Sequence, residues 1–248
     1  MPTTKFLILS YARTGSTLLC DVLGSSPQIT CLYEALNEKV EQYGEPATDE
    51  LKALRQSDVD EFVTRIVGRS ERPIFGFKIF PGHADDWLNR ALLDPDWKKI
   101  VLYRQNVMAV HSSYLIARAR GVWSDTAGHR PLRPDETGHA HDHKLPFNPG
   151  AFDNFRRIYQ SFYSSWLSRL AQSGQHYCYI EYNTMRNPRL LARVFAFLGA
   201  KPILDLQAAT MKSGAMQLPS RYDNPEAVRA HLEKIGRLDW QAESFLEI

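Results

Sequence analysis

Five short runs of aliphatic, aromatic and β-branched residues alternate along the chain with segments of helical period. The runs are 5–10 (KFLILS), 29–33 (ITCLY), 74–80 (IFGFKIF), 99–103 (KIVLY) and 177–182 (YCYIEY), each a strand candidate. The intervening helical segments are 16–24, 49–68, 85–93, 106–121, 149–173 and 187–199. Strands this continuously apolar need cover on both faces. The expected fold class is therefore α/β, a parallel sheet flanked by helices on both faces.

With 248 residues, 44% of them hydrophobic, the chain is long enough to bury a substantial core, and one domain spanning 1–248 is expected. Two helices are well punctuated. In "RNPRLLARVFAFLGAKP", Asn187 is a plausible N-cap, Pro188 the first helical residue and Gly199 the stop, and "DNPEAVRAHLEKIG" at 223–236 repeats that grammar. The stretch 123–149, rich in proline and scattered charge, is expected to be a loop or lid.

Thirty Lys and Arg against 28 Asp and Glu leave a net charge of +2, which gives no reason to expect a nucleic-acid partner. Cys20, Cys31 and Cys178 are odd in number and lack C-x-x-C spacing, so they are expected as reduced thiols rather than a disulfide framework or a zinc site. The N-terminus has no signal-peptide pattern and no run approaches a membrane span, so a cytoplasmic protein is expected.

The stretch "KFLILSYARTGSTLLCDVLG", residues 5–24, has the plan of a phosphate-binding loop between a strand and a helix. The backbone N–H groups of 12–16 would face the partially positive helix N-terminus. Gly15 permits a left-handed backbone, Thr14, Ser16 and Thr17 add hydroxyls, and Arg13 adds a forked cation suited to phosphate or sulfate. The alternative is an ordinary turn capped by Ser16. The lysine of G-x-x-x-x-G-K-[ST] is absent, and the strand KIVLY runs into Arg104 where a metal-binding carboxylate would be wanted. A second strand-to-helix element, "KKIVLYRQNVMAVHSSYLIAR" at 98–118, carries Ser112 eight residues after Arg104.

Together the two elements resemble the 5′-phosphosulfate loop and the 3′-phosphate motif of sulfotransferases that use 3′-phosphoadenosine 5′-phosphosulfate (PAPS). The resemblance continues more weakly through "GFKIF", "YIEYNTM" and "RYDNPEAVRAHL". The pattern is most similar to bacterial carbohydrate sulfotransferases of the trehalose and nodulation-factor type. It implies a P-loop-like fold, PAPS as co-substrate, a small-molecule hydroxyl acceptor and chemistry that requires no metal. It also implies that Arg13, Thr14, Gly15, Ser16 and Thr17 hold the 5′-phosphosulfate and that Arg104 and Ser112 hold the 3′-phosphate. Arg221 and Lys212 lie in a stretch similar to the family's late cofactor-binding segment.

Aryl sulfotransferases of this family carry a catalytic histidine after a strand lysine; here "FGFKIFPGH" has Phe80 at that place. In trehalose-type relatives the base is a glutamate after the second strand, a position matched by Glu34 in "ITCLYEALNEK". His83 is the alternative base. Lys78 either touches the sulfuryl group or snorkels from a strand edge to water. His139, His141 and His143 alternate in "HAHDH", a spacing open to a metal but set in a proline-rich loop that more naturally covers or selects the acceptor. The aromatic stripe Phe155, Tyr159, Phe162, Tyr163 and Trp166 reads as core, with stacking on a sugar or adenine as the alternative, in which Trp123 would join. Rival functions are a Mg-dependent small-molecule kinase and a non-catalytic nucleotide-binding protein.

Overall fold

The structure, a computed structural model, describes residues 2–38, 48–121, 144–203 and 217–243. Trp123, His139, His141, His143 and Lys212, with most of the 123–149 stretch, lie outside the described residues.

Five parallel strands form one sheet in the order β2-β3-β1-β4-β5: β1 (Thr4–Leu9), β2 (Ile29–Leu32), β3 (Ile74–Ile79), β4 (Trp97–Tyr103) and β5 (Tyr177–Glu181). Alternation along each strand splits the core in two. Phe6 and Ile8 of β1 pack with Ile100, Leu102 and Ile180 beneath α1 (Ser16–Gly24) and the later helix Pro188–Leu198. Leu7 and Leu9 pack on the other face with Phe75, Phe77 and Val101.

That second face is covered by α2 (Asp49–Ser57), α3 (Val59–Gly68), α4 (Asp85–Leu93), α5 (Val107–Arg120), α6 (Pro149–Gln172) and, beyond α7 (Pro188–Leu198), by α8 (Pro225–Lys234). The expected both-sided α/β sheet is the fold observed. The expected single helix over 49–68 is instead two helices. Asp58 breaks it with an extended backbone (φ −150°, ψ 92°) and caps α3 by accepting from the Glu61 N–H at 3.0 Å. Asn187 caps α7 through the N–H groups of Arg189 and Leu190, and Gly199 ends that helix at φ 85°. All three cysteines are free thiols.

The strand order positions the site. The connection after β1 leaves toward β2 on one side, whereas that after β4 leaves toward β5 on the other. The two loops therefore diverge at the C-terminal edge between adjacent strands β1 and β4, the crevice where open α/β sheets place ligands. One glycine permits this close packing. A Cβ on Gly76 of β3 would lie 2.4 Å from the Phe6 carbonyl oxygen of β1.

His111 on α5 is buried against Phe152 and Phe155, with Nδ1 3.0 Å from the Tyr222 hydroxyl. Burial pushes its pKa from 6.5 down to about 4. Between those values the unfolded chain binds a proton that the folded chain refuses. Stability is therefore complete above pH 6.5 and falls as the pH drops toward 4, by at most about 3 kcal/mol from this residue. Urea titrations at pH 7, 5.5 and 4.5 should show the loss in the parent protein and a smaller one in His111→Gln; parallel pH profiles would remove His111 as the cause.

Candidate active site at the C-terminal edge of the sheet

β1 ends at Leu9, and the chain turns through Tyr11 to Gly15 before α1 begins. Two residues of this turn are left-handed, Gly15 at φ 87° and Arg13 at φ 68°. For arginine that conformation carries a cost of roughly 1 kcal/mol or more, so neighbouring contacts must hold it. Arg104 Nη1 donates to the Arg13 carbonyl at 2.8 Å, and Arg13 Nε donates to Ser113 Oγ at 2.9 Å. Thr14 Oγ1 turns back to the Tyr11 carbonyl at 2.7 Å.

Ser16 is not the cap of α1. Gly15 occupies that position and no side chain caps the helix, which leaves the terminal N–H groups directed at the crevice. Gly15 is also needed for space, because a Cβ there would lie 2.5 Å from the Tyr182 ring and 2.7 Å from Met185 Cε. Gly15→Ala is expected to destabilise the fold by about 2 kcal/mol, combining backbone strain with overpacking. Urea denaturation measures it; an unchanged midpoint would mean that Tyr182 moves freely.

Two buried tyrosines fix the mouths of both loops. On α6, the Tyr163 hydroxyl donates to the Leu102 carbonyl at 2.8 Å and accepts from the Tyr11 N–H at 3.0 Å. The Tyr159 hydroxyl donates to the Arg104 carbonyl at 2.9 Å and accepts from its N–H at 3.0 Å. Burial raises the pKa of both phenols, so they act as neutral hydrogen-bonding groups. Of the aromatic stripe, Tyr159, Tyr163 and Trp166 are buried in the core, whereas Phe155 and Phe162 are half-buried. The tyrosine hydroxyls add a positioning role that hydrophobic periodicity does not reveal.

Around Arg104 the structure gathers a cationic corner. Its guanidinium lies on the Tyr182 ring at 4.2 Å, and Nε donates to Glu243 at 2.7 Å, with Nη2 on the other oxygen of the same carboxylate. Ser112 Oγ accepts from Arg221 Nη1 at 2.8 Å and donates to the Ala109 carbonyl at 3.2 Å. Arg104 and Ser112, eight residues apart, thus share one corner with the distant, half-buried Arg221. Burial and the nearby Arg104 charge lower the Arg221 pKa, whereas the Glu243 carboxylate opposes them. For Arg104 burial also acts to lower the pKa, but the hydrogen bonds and charge of Glu243 outweigh it and the net shift is upward.

On the opposite side of the loop, Lys78 is 4% exposed and does not snorkel. It stands on the α1 face of β3 and donates to Thr17 Oγ1 at 2.8 Å. Its Nζ is 3.3 Å from Glu34 Oε1, while Glu34 Oε2 accepts from Asn37 Nδ2 at 2.7 Å. Lys78 also lies 5.3 Å from the Phe80 ring centroid, and the centroids of the Phe80 and His83 rings are 5.3 Å apart. Glu34, Lys78 and Thr17 are thereby one connected unit.

Sequence reasoning did not single out Glu243, Ser113 or Tyr182 as site residues. Among the described residues, no group of three His, Cys, Asp or Glu side chains is arranged to hold a metal.

The architecture is that of a sulfotransferase-type α/β fold. The crystal structure of a sulfotransferase from Alicyclobacillus acidocaldarius is similar over 96% of this chain and 94% of its own, with a TM-score of 0.50 and 20% identity. The sulfotransferase domain from the curacin biosynthetic pathway matches 89% of this chain and 83% of its own, with a TM-score of 0.46 and 16% identity. No protein-family model matches the chain, and no curated protein matches it. At 20% identity the likeness establishes the fold; the chemistry must be argued from the residues.

Proposed function

We propose that the protein is a sulfotransferase that moves a sulfuryl group from PAPS to the hydroxyl of a small-molecule acceptor, with a carbohydrate favoured by the resemblance to trehalose- and nodulation-type enzymes. The observation that carries this reading is the contact between the two anion-binding elements. Arg104 Nη1 donates to the Arg13 carbonyl at 2.8 Å, so the loop after β1 and the arginine after β4 line one crevice. A nucleotide with a phosphate at each end of its ribose spans such a pair of sites. A nucleotide phosphorylated at one end uses only half of it.

In the proposed reaction the acceptor oxygen attacks sulfur in line with the bridging phosphosulfate oxygen. The new S–O bond forms as the old one breaks, and adenosine 3′,5′-bisphosphate departs. Charge accumulates on the bridging oxygen and the 5′-phosphate, where Arg13 and the uncapped N–H groups of α1 neutralise it. Thr14, Ser16 and Thr17 belong to the same subsite, and Arg104, Ser112 and Arg221 hold the 3′-phosphate. Glu34 takes the acceptor proton. Lys78, bound to Thr17 and beside Glu34, links the phosphate loop to the base and can follow the sulfuryl oxygens as they pass between donor and acceptor.

Incubation with 35S-labelled PAPS and a set of sugars, chito-oligosaccharides and phenols tests the reading. Transfer of label with one adenosine 3′,5′-bisphosphate released per product supports it. Intact donor throughout the set, despite binding of the bisphosphate, favours the non-catalytic nucleotide-binding alternative.

A further inference from the structure

The corner assigned to the 3′-phosphate already holds an anion belonging to the chain. Glu243 takes the Nε and Nη2 edge of Arg104, the Arg13 carbonyl takes Nη1, and the Tyr182 ring covers one face. A phosphate cannot approach the forked edge of this guanidinium while Glu243 is there. Both side chains of the pair are about nine-tenths buried, with exposures of 9% for Arg104 and 10% for Glu243.

We propose that Glu243 stands in for the nucleotide's 3′-phosphate, so that the segment 238–243 closes the corner in the free protein and is displaced when the donor binds. The inference rests on the donor reading above. Its physical basis is the crowding of cations. Arg104 and Arg221 interact repulsively, and the Glu243 carboxylate, bonded to the buried Arg104, opposes that repulsion. A phosphate monoester brings up to two negative charges and three acceptor oxygens against the single charge of a carboxylate, so it can take over the same donors.

Besides the Glu243 pair, the segment is held by the buried Trp240, which belongs to the hydrophobic core, and by Asn106. Asn106 Nδ2 donates to the carbonyls of Ala242 at 3.0 Å and Trp240 at 3.4 Å. Trp240 is buried, yet its indole N–H has no hydrogen-bond partner among the described residues. An unsatisfied buried donor is a cost of the docked state that release removes. The segment and the nucleotide therefore compete, and the apparent affinity is reduced by the fraction of molecules that are closed.

The test is calorimetric titration of the full chain and of Glu243→Gln with adenosine 3′,5′-bisphosphate and with 5′-AMP, alongside hydrogen exchange on the parent protein. Expected results are at least about tenfold tighter binding of the bisphosphate by Glu243→Gln, little change for 5′-AMP, and loss of amide protection at 238–243 when the bisphosphate saturates the parent protein. Equal or weaker bisphosphate binding by the variant, with protection at 238–243 retained, would overturn the proposal while leaving the donor assignment intact. A parent protein that binds both nucleotides equally overturns the donor assignment and this inference with it. If Glu243→Gln does not fold, exchange on the parent protein decides alone: protection lost on binding supports displacement, and protection kept refutes it.

Discussion

Replacing Glu34 by glutamine is expected to lower turnover by about 10²- to 10⁴-fold while leaving the affinity for adenosine 3′,5′-bisphosphate nearly unchanged. Glutamine has the length and shape of glutamate. It retains an oxygen for Lys78 at the 3.3 Å position. What it cannot do is accept the acceptor's proton. Neither Glu34 nor Asn37 belongs to the 3′-phosphate corner, so the separation of turnover from binding is the diagnostic feature. Single-turnover assays with saturating donor measure the first, and calorimetry the second. Turnover equal to the parent protein's would remove Glu34 from the mechanism and direct attention to His83; loss of binding as well would make Glu34 part of the loop's scaffold.

The second large effect is expected at Arg104. Charge-assisted bonds between a guanidinium and a phosphate are worth roughly 1.5 to 3 kcal/mol, so Arg104→Met should weaken bisphosphate binding by about 10- to 150-fold. It should leave 5′-AMP affinity much less affected. The substitution is best made in the Glu243→Gln background, because removing Arg104 alone strands a buried carboxylate and a loss of folding would obscure the result. Compared with Glu243→Gln by calorimetry, the double variant should show a preference for the bisphosphate over 5′-AMP reduced by that factor. An undiminished preference would mean that Ser112 and Arg221 hold the 3′-phosphate without Arg104.

The framework was legible because local rules and tertiary packing agree. The helices at 16–24 and 85–93 were expected with the bounds observed, and each strand falls within a few residues of its apolar run. The break at Asp58 was missed although its signal was present: an aspartate followed three residues later by Glu61 is a capping pattern inside a segment whose hydrophobic period continues on both sides. The phosphate loop was legible as a motif, but its capping was not. Ser16 looks like a cap from sequence, whereas the left-handed Gly15 takes that position and leaves the N–H groups uncapped.

The connections that join the site were beyond local reading because they cross long stretches of chain. Glu243 meets Arg104 across 139 residues, Arg221 meets Ser112 across 109, and Lys78 meets Thr17 across 61. The resemblance to sulfotransferases supplied the pairing of Arg104 with Ser112 and left Arg221 between the 3′-phosphate and the lid. It offered no reason to expect Glu243. The paired hydroxyls of Tyr159 and Tyr163 were concealed for another reason: a tyrosine at a core period looks like any aromatic until its hydroxyl has a carbonyl to meet.

The central claim is that the crevice between β1 and β4 holds a nucleotide by phosphates at both its 5′ and 3′ ends. Calorimetric titration of the full chain with adenosine 3′,5′-bisphosphate, 5′-AMP and Mg·ATP tests it most directly. The account predicts that the bisphosphate binds tighter than 5′-AMP, because the 3′-phosphate bonds exceed the cost of displacing Glu243, and tighter than Mg·ATP. Equal affinity for all three, no binding of the bisphosphate, or a preference for Mg·ATP would contradict it.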